Sequence, residues 1–229
     1  MESNGIISEN VIDTLKHDAG AFLTNTRLEY QELAIWPKEI EVYYYKRDEF
    51  EDGSVHRNSL QMNNKNHFYV HRRGVGKNDK YKSGNRAGLD YVVSDSVNVY
   101  HSYLIRSAVI DERLLVGPNI VLKYLTEVRG YSYANLELIP VNPVFSKCDG
   151  DVFFSNRINL GENAGVFKEC TLRAVLCDRW YRDSKYPLKE KMIVGFLLKQ
   201  VKQMNMDPEW AMDYAKKNLG YIPSILRTI

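Results

Sequence analysis

The spacing of apolar residues predicts a helix at the start of the chain and a strand soon after it. Apolar residues recur at helical spacing over 11–22, which predicts a first helix. Further along, Glu39 and Glu41 alternate with apolar residues, and this period of two is typical of a strand. The alternation therefore predicts that both glutamates lie on one face of that strand.

The rest of the chain predicts strands and helices that do not alternate regularly. Strands are expected at 67–71, 89–94, 99–109, 132–139, 151–158 and 170–178. A helix in two pieces is expected over 111–127, where Pro118 opens the second piece. Helices are also expected over 188–204 and from Asp207 to Gly220. This order predicts an α+β fold, with a curved antiparallel sheet flanked by helices and a C-terminal helical extension.

Composition predicts a single domain over residues 1–229 that folds without a metal. The hydrophobic fraction of 44% and the charged fraction of 26% exclude an intrinsically disordered chain. The three cysteines lack the paired spacing of a zinc site, so no metal or cofactor is expected. No signal-peptide pattern or long apolar stretch occurs, which predicts a cytoplasmic protein with no membrane partner. The net charge of +2 does not by itself indicate nucleic-acid binding.

Several short motifs follow one another along the chain, and their order is more specific than any one of them. The motifs are Glu39-Ile40-Glu41-Val42-Tyr43, His56, Phe68-Tyr69-Val70-His71, Tyr91-Val92-Val93-Ser94-Asp95, Leu104-Ile105-Arg106-Ser107-Ala108, Gly117-Pro118 and Arg157-Ile158-Asn159-Leu160-Gly161 with Ala164-Gly165. In this order they resemble the alkyladenine (3-methyladenine) DNA glycosylase family. The resemblance covers about residues 12–178 and leaves 179–229 as the helical extension.

The resemblance implies a monomeric, monofunctional glycosylase that hydrolyses the N-glycosidic bond of an alkylated or deaminated purine flipped out of double-stranded DNA. Glu41 would activate the water, which Arg106 and the backbone carbonyl of Ile158 would help to hold. A carboxylate suits this task because positive charge develops on the sugar. The residues that would form the base-binding pocket are Tyr43, His56, His71 and Asp95.

Each of these residues also has a purely structural interpretation. The glutamates could face solvent at a strand edge, and Arg106 could form a structural ion pair. Tyr43 could be a half-buried sheet residue, and His56 an ordinary loop residue.

Two positions depart from the family. Arg72-Arg73-Gly74 stands where the family inserts a tyrosine into the duplex, and Asp95 stands where the family has an asparagine. No lysine falls on a motif position, so strand-nicking lyase chemistry is not expected. The departures leave two alternatives open: a non-catalytic nucleic-acid-binding protein on the same fold, and a hydrolase of another nucleoside or RNA base.

Basic residues concentrate in one glycine-containing segment, residues 72–88. This composition is typical either of a solvated loop or of a loop that contacts phosphate groups. The residues that we expect to contact the DNA backbone are Arg72, Arg73, Lys77, Lys80, Tyr81, Lys82 and Arg86.

Overall fold

The computed structural model describes residues 9–182 and 187–228. Its helices are α1 Glu9–Asn25, α2 Pro118–Lys123, α3 Tyr133–Leu138, α4 Arg179–Arg182, α5 Pro187–Met204 and α6 Pro208–Leu219. Its strands are β1 Thr26–Tyr30, β2 Leu33–Lys46, β3 Phe50–Glu51, β4 Phe68–Val70, β5 Leu89–Val92, β6 Val99–Ile110, β7 Arg113–Val116, β8 Asn142–Phe145, β9 Asp151–Ser155 and β10 Arg173–Cys177. The segment Tyr124–Val128 continues α2 as a π-helical turn.

The strands form one ten-stranded sheet, whose main path runs β4-β5-β6-β2-β1-β8. Strand β10 pairs with the middle of β2, and β9 pairs with β10. All of the ladders are antiparallel. The strongly curled antiparallel sheet, together with the helices, confirms the predicted α+β fold class.

One face of the central strands carries the main hydrophobic core. Ile40 of β2 and Ile105 of β6 lie opposite each other and are fully buried. They share this core with Leu15, Ala19 and Leu23 of α1, the helix that the apolar spacing predicts. That helix extends beyond the predicted end, to Asn25. The opposite face of the same strands is therefore the one that carries Glu39 and Glu41.

Two of the predicted elements are wrong. Residues 111–116, expected to be helical, form a two-residue turn at Asp111 and Glu112 followed by β7, and both turn residues have positive φ. The second helical piece does begin at Pro118. Residues 132–139, expected to be a strand, form α3, because the Ser132 side chain accepts a hydrogen bond from the Asn135 N–H and caps the helix.

The C-terminal helices were predicted correctly and pack on β9 and β10. The Asp207 side chain caps α6, which ends at Gly220 in the left-handed conformation. Phe153 and Val175 of the sheet share a second core with Ile193 and Leu197 of α5. Over the described residues, no helix combines the length and apolarity that a membrane crossing needs.

Candidate active site

A row of buried residues crosses the sheet on the face opposite the main core. Tyr69 lies opposite Asp90, Asp90 opposite Leu104, Leu104 opposite Glu41, and Glu41 opposite Arg173. Directly opposed residues in antiparallel strands point to the same face, so these five side chains form one row, called here the polar row. All five are buried, and only Leu104 is apolar. Burying an ionisable group costs free energy unless the group is paired. The partners of the ionisable side chains in this row therefore outline the candidate site.

Glu41 lies at the centre of one half of the site. Its side chain is 1% exposed. Its Oε1 atom accepts hydrogen bonds from Nη1 of Arg106 at 3.1 Å and from the backbone N–H of Ile158 at 3.0 Å, and its Oε2 atom accepts one from the Tyr43 hydroxyl at 3.0 Å. A carboxylate offers about four acceptor positions, so these three bonds leave room for one further donor, such as a water.

A second carboxylate completes the charge balance around Arg106. Glu39 Oε1 accepts hydrogen bonds from Nε of Arg106 at 3.0 Å and from Nε of Arg173 at 2.6 Å. Burial opposes the charged form of Arg106, but Glu41 and Glu39 outweigh it and raise the pKa of the guanidinium. The two carboxylates and two guanidiniums balance in charge, and Arg106 bridges both glutamates with the fork geometry that only arginine provides.

Tyr43 is a neutral donor to this cluster. Burial of its hydroxyl, together with the negative charge of Glu41, raises the pKa of Tyr43 well above its ordinary value. The guanidinium of Arg157 lies 5.0 Å from the centre of the Tyr43 ring, and Arg157 also pairs with the buried Asp52 at 2.6 Å. The tyrosine is therefore held between a carboxylate at its hydroxyl and a cation at its ring face.

Two histidines and a carboxylate occupy the other half of the site. Asp90 contacts Nε2 of His71 at 2.6 Å and accepts a hydrogen bond from the Ser102 hydroxyl at 2.7 Å. Burial opposes ionisation of Asp90, but His71 and these hydrogen bonds outweigh it and lower the pKa of the carboxyl. Gly88 makes room for His71, because a Cβ atom there would lie 3.1 Å from the imidazole.

His56 stands edge-on to His71, with 4.8 Å between the ring centres. Burial, followed by the charges of His71 and Lys82, lowers the pKa of His56 to about 3, so this imidazole is neutral near pH 7. Its Nε2 atom lies 2.5 Å from the Lys82 Nζ atom, and its Nδ1 atom lies 3.4 Å from the Tyr69 hydroxyl. We assign the proton to Nδ1 because the ammonium or amine of Lys82 is the donor at Nε2.

The structure brings most of the predicted catalytic and pocket residues to this face. Glu41, Arg106, Tyr43 and Ile158 lie together, although Ile158 contacts Glu41 through its N–H rather than through the expected carbonyl. His56 and His71 lie together in the other half.

Asp95, in contrast, is 74% exposed and pairs with Lys65 at 3.2 Å. Strand β5 ends at Val92, two residues earlier than expected, so Asp95 lies in the loop between β5 and β6. Asp90 is the carboxylate that contacts the pocket histidine.

Three of the seven residues expected to contact DNA make contacts within the protein instead: Arg72 is buried, and Tyr81 and Lys82 are half-buried. Arg72 donates to the Tyr81 hydroxyl and the Asp79 carbonyl, and pairs with Glu137. Tyr81 also donates to Glu137, and Lys82 contacts His56. The cause is local strand-like pairing, in which Arg72 lies opposite Tyr81. The four that remain exposed are Arg73, Lys77, Lys80 and Arg86.

The sequence prediction missed several members of the site. These are Asp52, Gln61, Asp90, Ser102 and Arg173. A usable signal existed for Asp90, which is the one charged residue among apolar neighbours in β5. No such signal marks Gln61, which reaches Asp90 from a short 3₁₀ helix in an irregular segment.

No protein-family model and no curated protein sequence matches this chain. Among the described residues, no group of three or more His, Cys, Asp or Glu side chains is arranged to hold a metal ion. The geometry of the polar row and its partners is therefore what indicates a function for this protein.

Proposed function

We propose that this protein is a DNA glycosylase that hydrolyses the N-glycosidic bond of an alkylated or deaminated purine flipped out of duplex DNA. The observation that supports this proposal best is the fixed, buried carboxylate of Glu41, held by Arg106, Tyr43 and the Ile158 N–H. Charges act strongly in such a site because little water screens them.

Glu41 has two tasks in the proposed reaction. As the bond between C1′ and the base nitrogen lengthens, its electron pair leaves with the base and positive charge develops on the sugar, which the carboxylate stabilises. Glu41 also orients a water and accepts its proton while the water oxygen bonds to C1′. Arg106 and the Ile158 N–H fix the direction of the carboxylate, so reorganisation during the reaction is small.

The histidine half of the site provides a place for the base. Asp90 and Glu41 lie on either side of Leu104, about 10 Å apart at two strand spacings. The rings of His56 and His71 can stack on a flipped base, and alkylated purines that carry positive charge are attracted to a neutral aromatic face such as that of His56. Since Glu41 is 1% exposed, entry of a nucleotide requires a conformational step that opens the site above it.

A second candidate is a protein that binds nucleic acid on this face without releasing a base. The closed and charge-balanced state of the Glu39, Glu41, Arg106 and Arg173 cluster supports it. The exposed cations of Arg73, Lys77, Lys80 and Arg86 serve both candidates, because phosphate contact is common to both.

The test is base release from duplex oligonucleotides that each contain one 3-methyladenine, hypoxanthine or ethenoadenine. Abasic sites are converted to strand breaks and counted on a denaturing gel. We expect Glu41→Gln, which keeps the shape of the side chain, to lower the single-turnover rate about 100- to 10,000-fold, the usual contribution of a general base. Free nucleosides and RNA oligonucleotides are assayed in parallel, to test the alternative that the protein hydrolyses another nucleoside or an RNA base.

Glu127→Gln is the matched control, because it makes the same chemical change at an exposed side chain. We expect this variant to release base at the wild-type rate. Binding without release in the wild type would favour the second candidate, and equal rates for the wild type and Glu41→Gln would remove Glu41 from the mechanism.

A further inference from the structure

Lys82 is a half-buried amine that the mechanism above does not use. Its backbone N–H donates to the His71 carbonyl at 2.8 Å, and the Arg73 N–H donates to the Lys80 carbonyl at 2.9 Å. This strand-like pairing between 71–73 and 80–82 fixes the backbone of Lys82 beside His71. The side chain of Lys82 therefore lies in the histidine half of the site, in contact with His56, and not on the outer surface of the basic segment.

The surroundings of the Lys82 Nζ atom favour a reactive amine. Nζ lies 2.5 Å from Nε2 of His56, which is an acceptor when the imidazole is neutral. Burial, reinforced by the nearby positive charge of Arg86 and opposed by Asp90, lowers the pKa of Lys82. An amine is nucleophilic only in its neutral form, so burial increases its nucleophilic fraction, and the contact with His56 fixes the position of Nζ.

We propose that Lys82 forms an imine with the open-chain aldehyde of an abasic deoxyribose in DNA. This inference rests on the proposed function, since that sugar is the product of base release, and it departs from the expectation from the sequence that no lysine reacts with the sugar. The Nζ lone pair bonds to C1′ as the carbonyl π bond breaks, and one nitrogen proton passes to the oxygen. The nitrogen then loses its second proton as the oxygen departs as water, which leaves a carbon–nitrogen double bond.

The arrangement of the polar row supports contact between this amine and that sugar. His71 binds Asp90, which is a member of the row, and Lys82 is tied to His71 through the backbone and to His56 through Nζ. Departure of the base would vacate the space beside the histidines, and the four-carbon stem of Lys82 can then swing from His56 toward C1′.

The test uses duplex DNA with a preformed abasic site, so that it does not depend on base release. Sodium cyanoborohydride reduces an imine to a stable secondary amine, which appears as a covalent protein–DNA band on a denaturing gel. We expect the wild type to form this band and both Lys82→Arg and Lys82→Met to lose it. Mass spectrometry of the digested adduct should place the sugar on Lys82.

Lys123→Met is the matched control, because Lys123 is an exposed lysine on α2, and it should keep the band. Lys82→Arg keeps the positive charge, and a thermal melt shows whether each variant is folded. A wild-type protein without the band, or folded Lys82 variants that keep it, would overturn this inference even where base release is observed. A band at Lys82 without any base release would instead overturn the proposed function alone.

Discussion

Ionisable side chains have hydrogen-bond partners on one face of the sheet, whereas on the other face a histidine is buried among aromatic rings. On the polar row, Glu41 and Asp90 are surrounded by donors. On the core face, His101 lies between the rings of Tyr44 and Tyr103, with 5.3 Å between ring centres in each case. Its Nε2 atom is buried and has no hydrogen-bond partner among the described residues. Burial, only partly opposed by Asp18, lowers the pKa of His101 to about 4.

His101 should therefore make the protein sensitive to acid. Its pKa is about 4 in the folded chain and 6.5 in the unfolded chain, so between these values the unfolded state binds more protons and stability falls as the pH falls. We expect His101→Phe, which suits the apolar face, to remove this loss. The free energy of unfolding in urea should favour the variant increasingly below pH 6, by up to about 1.4 kcal/mol per pH unit.

The control for loss of a histidine as such is His17→Phe, at an exposed position of α1. Urea titrations at pH 7, 6, 5 and 4 give the comparison for all three proteins. A difference between His101→Phe and the wild type that stays constant over this range would contradict the assigned role of burial.

At the scale of residues, part of the site could be predicted from the sequence. The period of two placed Glu39 and Glu41 on one face, and Arg106 then required a carboxylate partner because a buried guanidinium is costly alone. The sequence marks Asp90 as the one charged residue among apolar neighbours in β5, but its place beside His71 instead of Asp95 could not be predicted, because that depends on where β5 ends and on its register with β6. The direction of the Ile158 peptide likewise depends on tertiary packing.

At the scale of elements, the predictions failed where turn and cap chemistry decided the structure. Asp111 and Glu112 form the turn of the β6–β7 hairpin with positive φ at both positions, although asparagine and glycine are the usual residues there. In α3, the cap at Ser132 outweighs the strand propensity of the neighbouring tyrosines. The long periodic elements, α1, β2, β6 and α6, were all predicted correctly.

The basic segment gives an element-scale prediction about DNA binding. Lys77 and Lys80 are exposed, whereas Arg72 is held internally by Glu137. If both lysines contact phosphates, Lys77→Glu combined with Lys80→Glu should weaken duplex binding at low salt. Loss of two contacts should also reduce the slope of log affinity against log salt by about 1.8. Fluorescence anisotropy of a labelled duplex at several salt concentrations measures both effects.

The matched control reverses the charge of two lysines elsewhere, Lys216→Glu with Lys217→Glu on the last turn of α6. This pair changes the net charge equally but lies on the C-terminal helix. Should both double variants flatten the salt dependence alike, the effect would come from overall charge and not from contacts made by the basic segment.

At the scale of the whole molecule, the C-terminal helices and the polar row share one face of β10. Arg173, Val175 and Cys177 alternate onto the same side of this strand. Arg173 holds Glu39, whereas Val175 and Cys177 lie in the second core with α5 and α6. The helical extension therefore covers part of the sheet face that carries the candidate site. Its packing on β10 helps to fix the position of Arg173.

Leu197→Ala tests whether this extension and the sheet are one cooperative unit. Leu197 is fully buried in the second core, so its truncation should lower the free energy of unfolding by about 2–5 kcal/mol. Because α5 packs directly on β9 and β10, we expect far-UV circular dichroism and tryptophan fluorescence to report one coincident transition. Leu138→Ala, at an exposed leucine of α3, should change stability by less than about 0.5 kcal/mol. Two separate transitions in Leu197→Ala, with an unchanged main one, would show that the helices melt without disturbing Arg173 and that the candidate site does not depend on them.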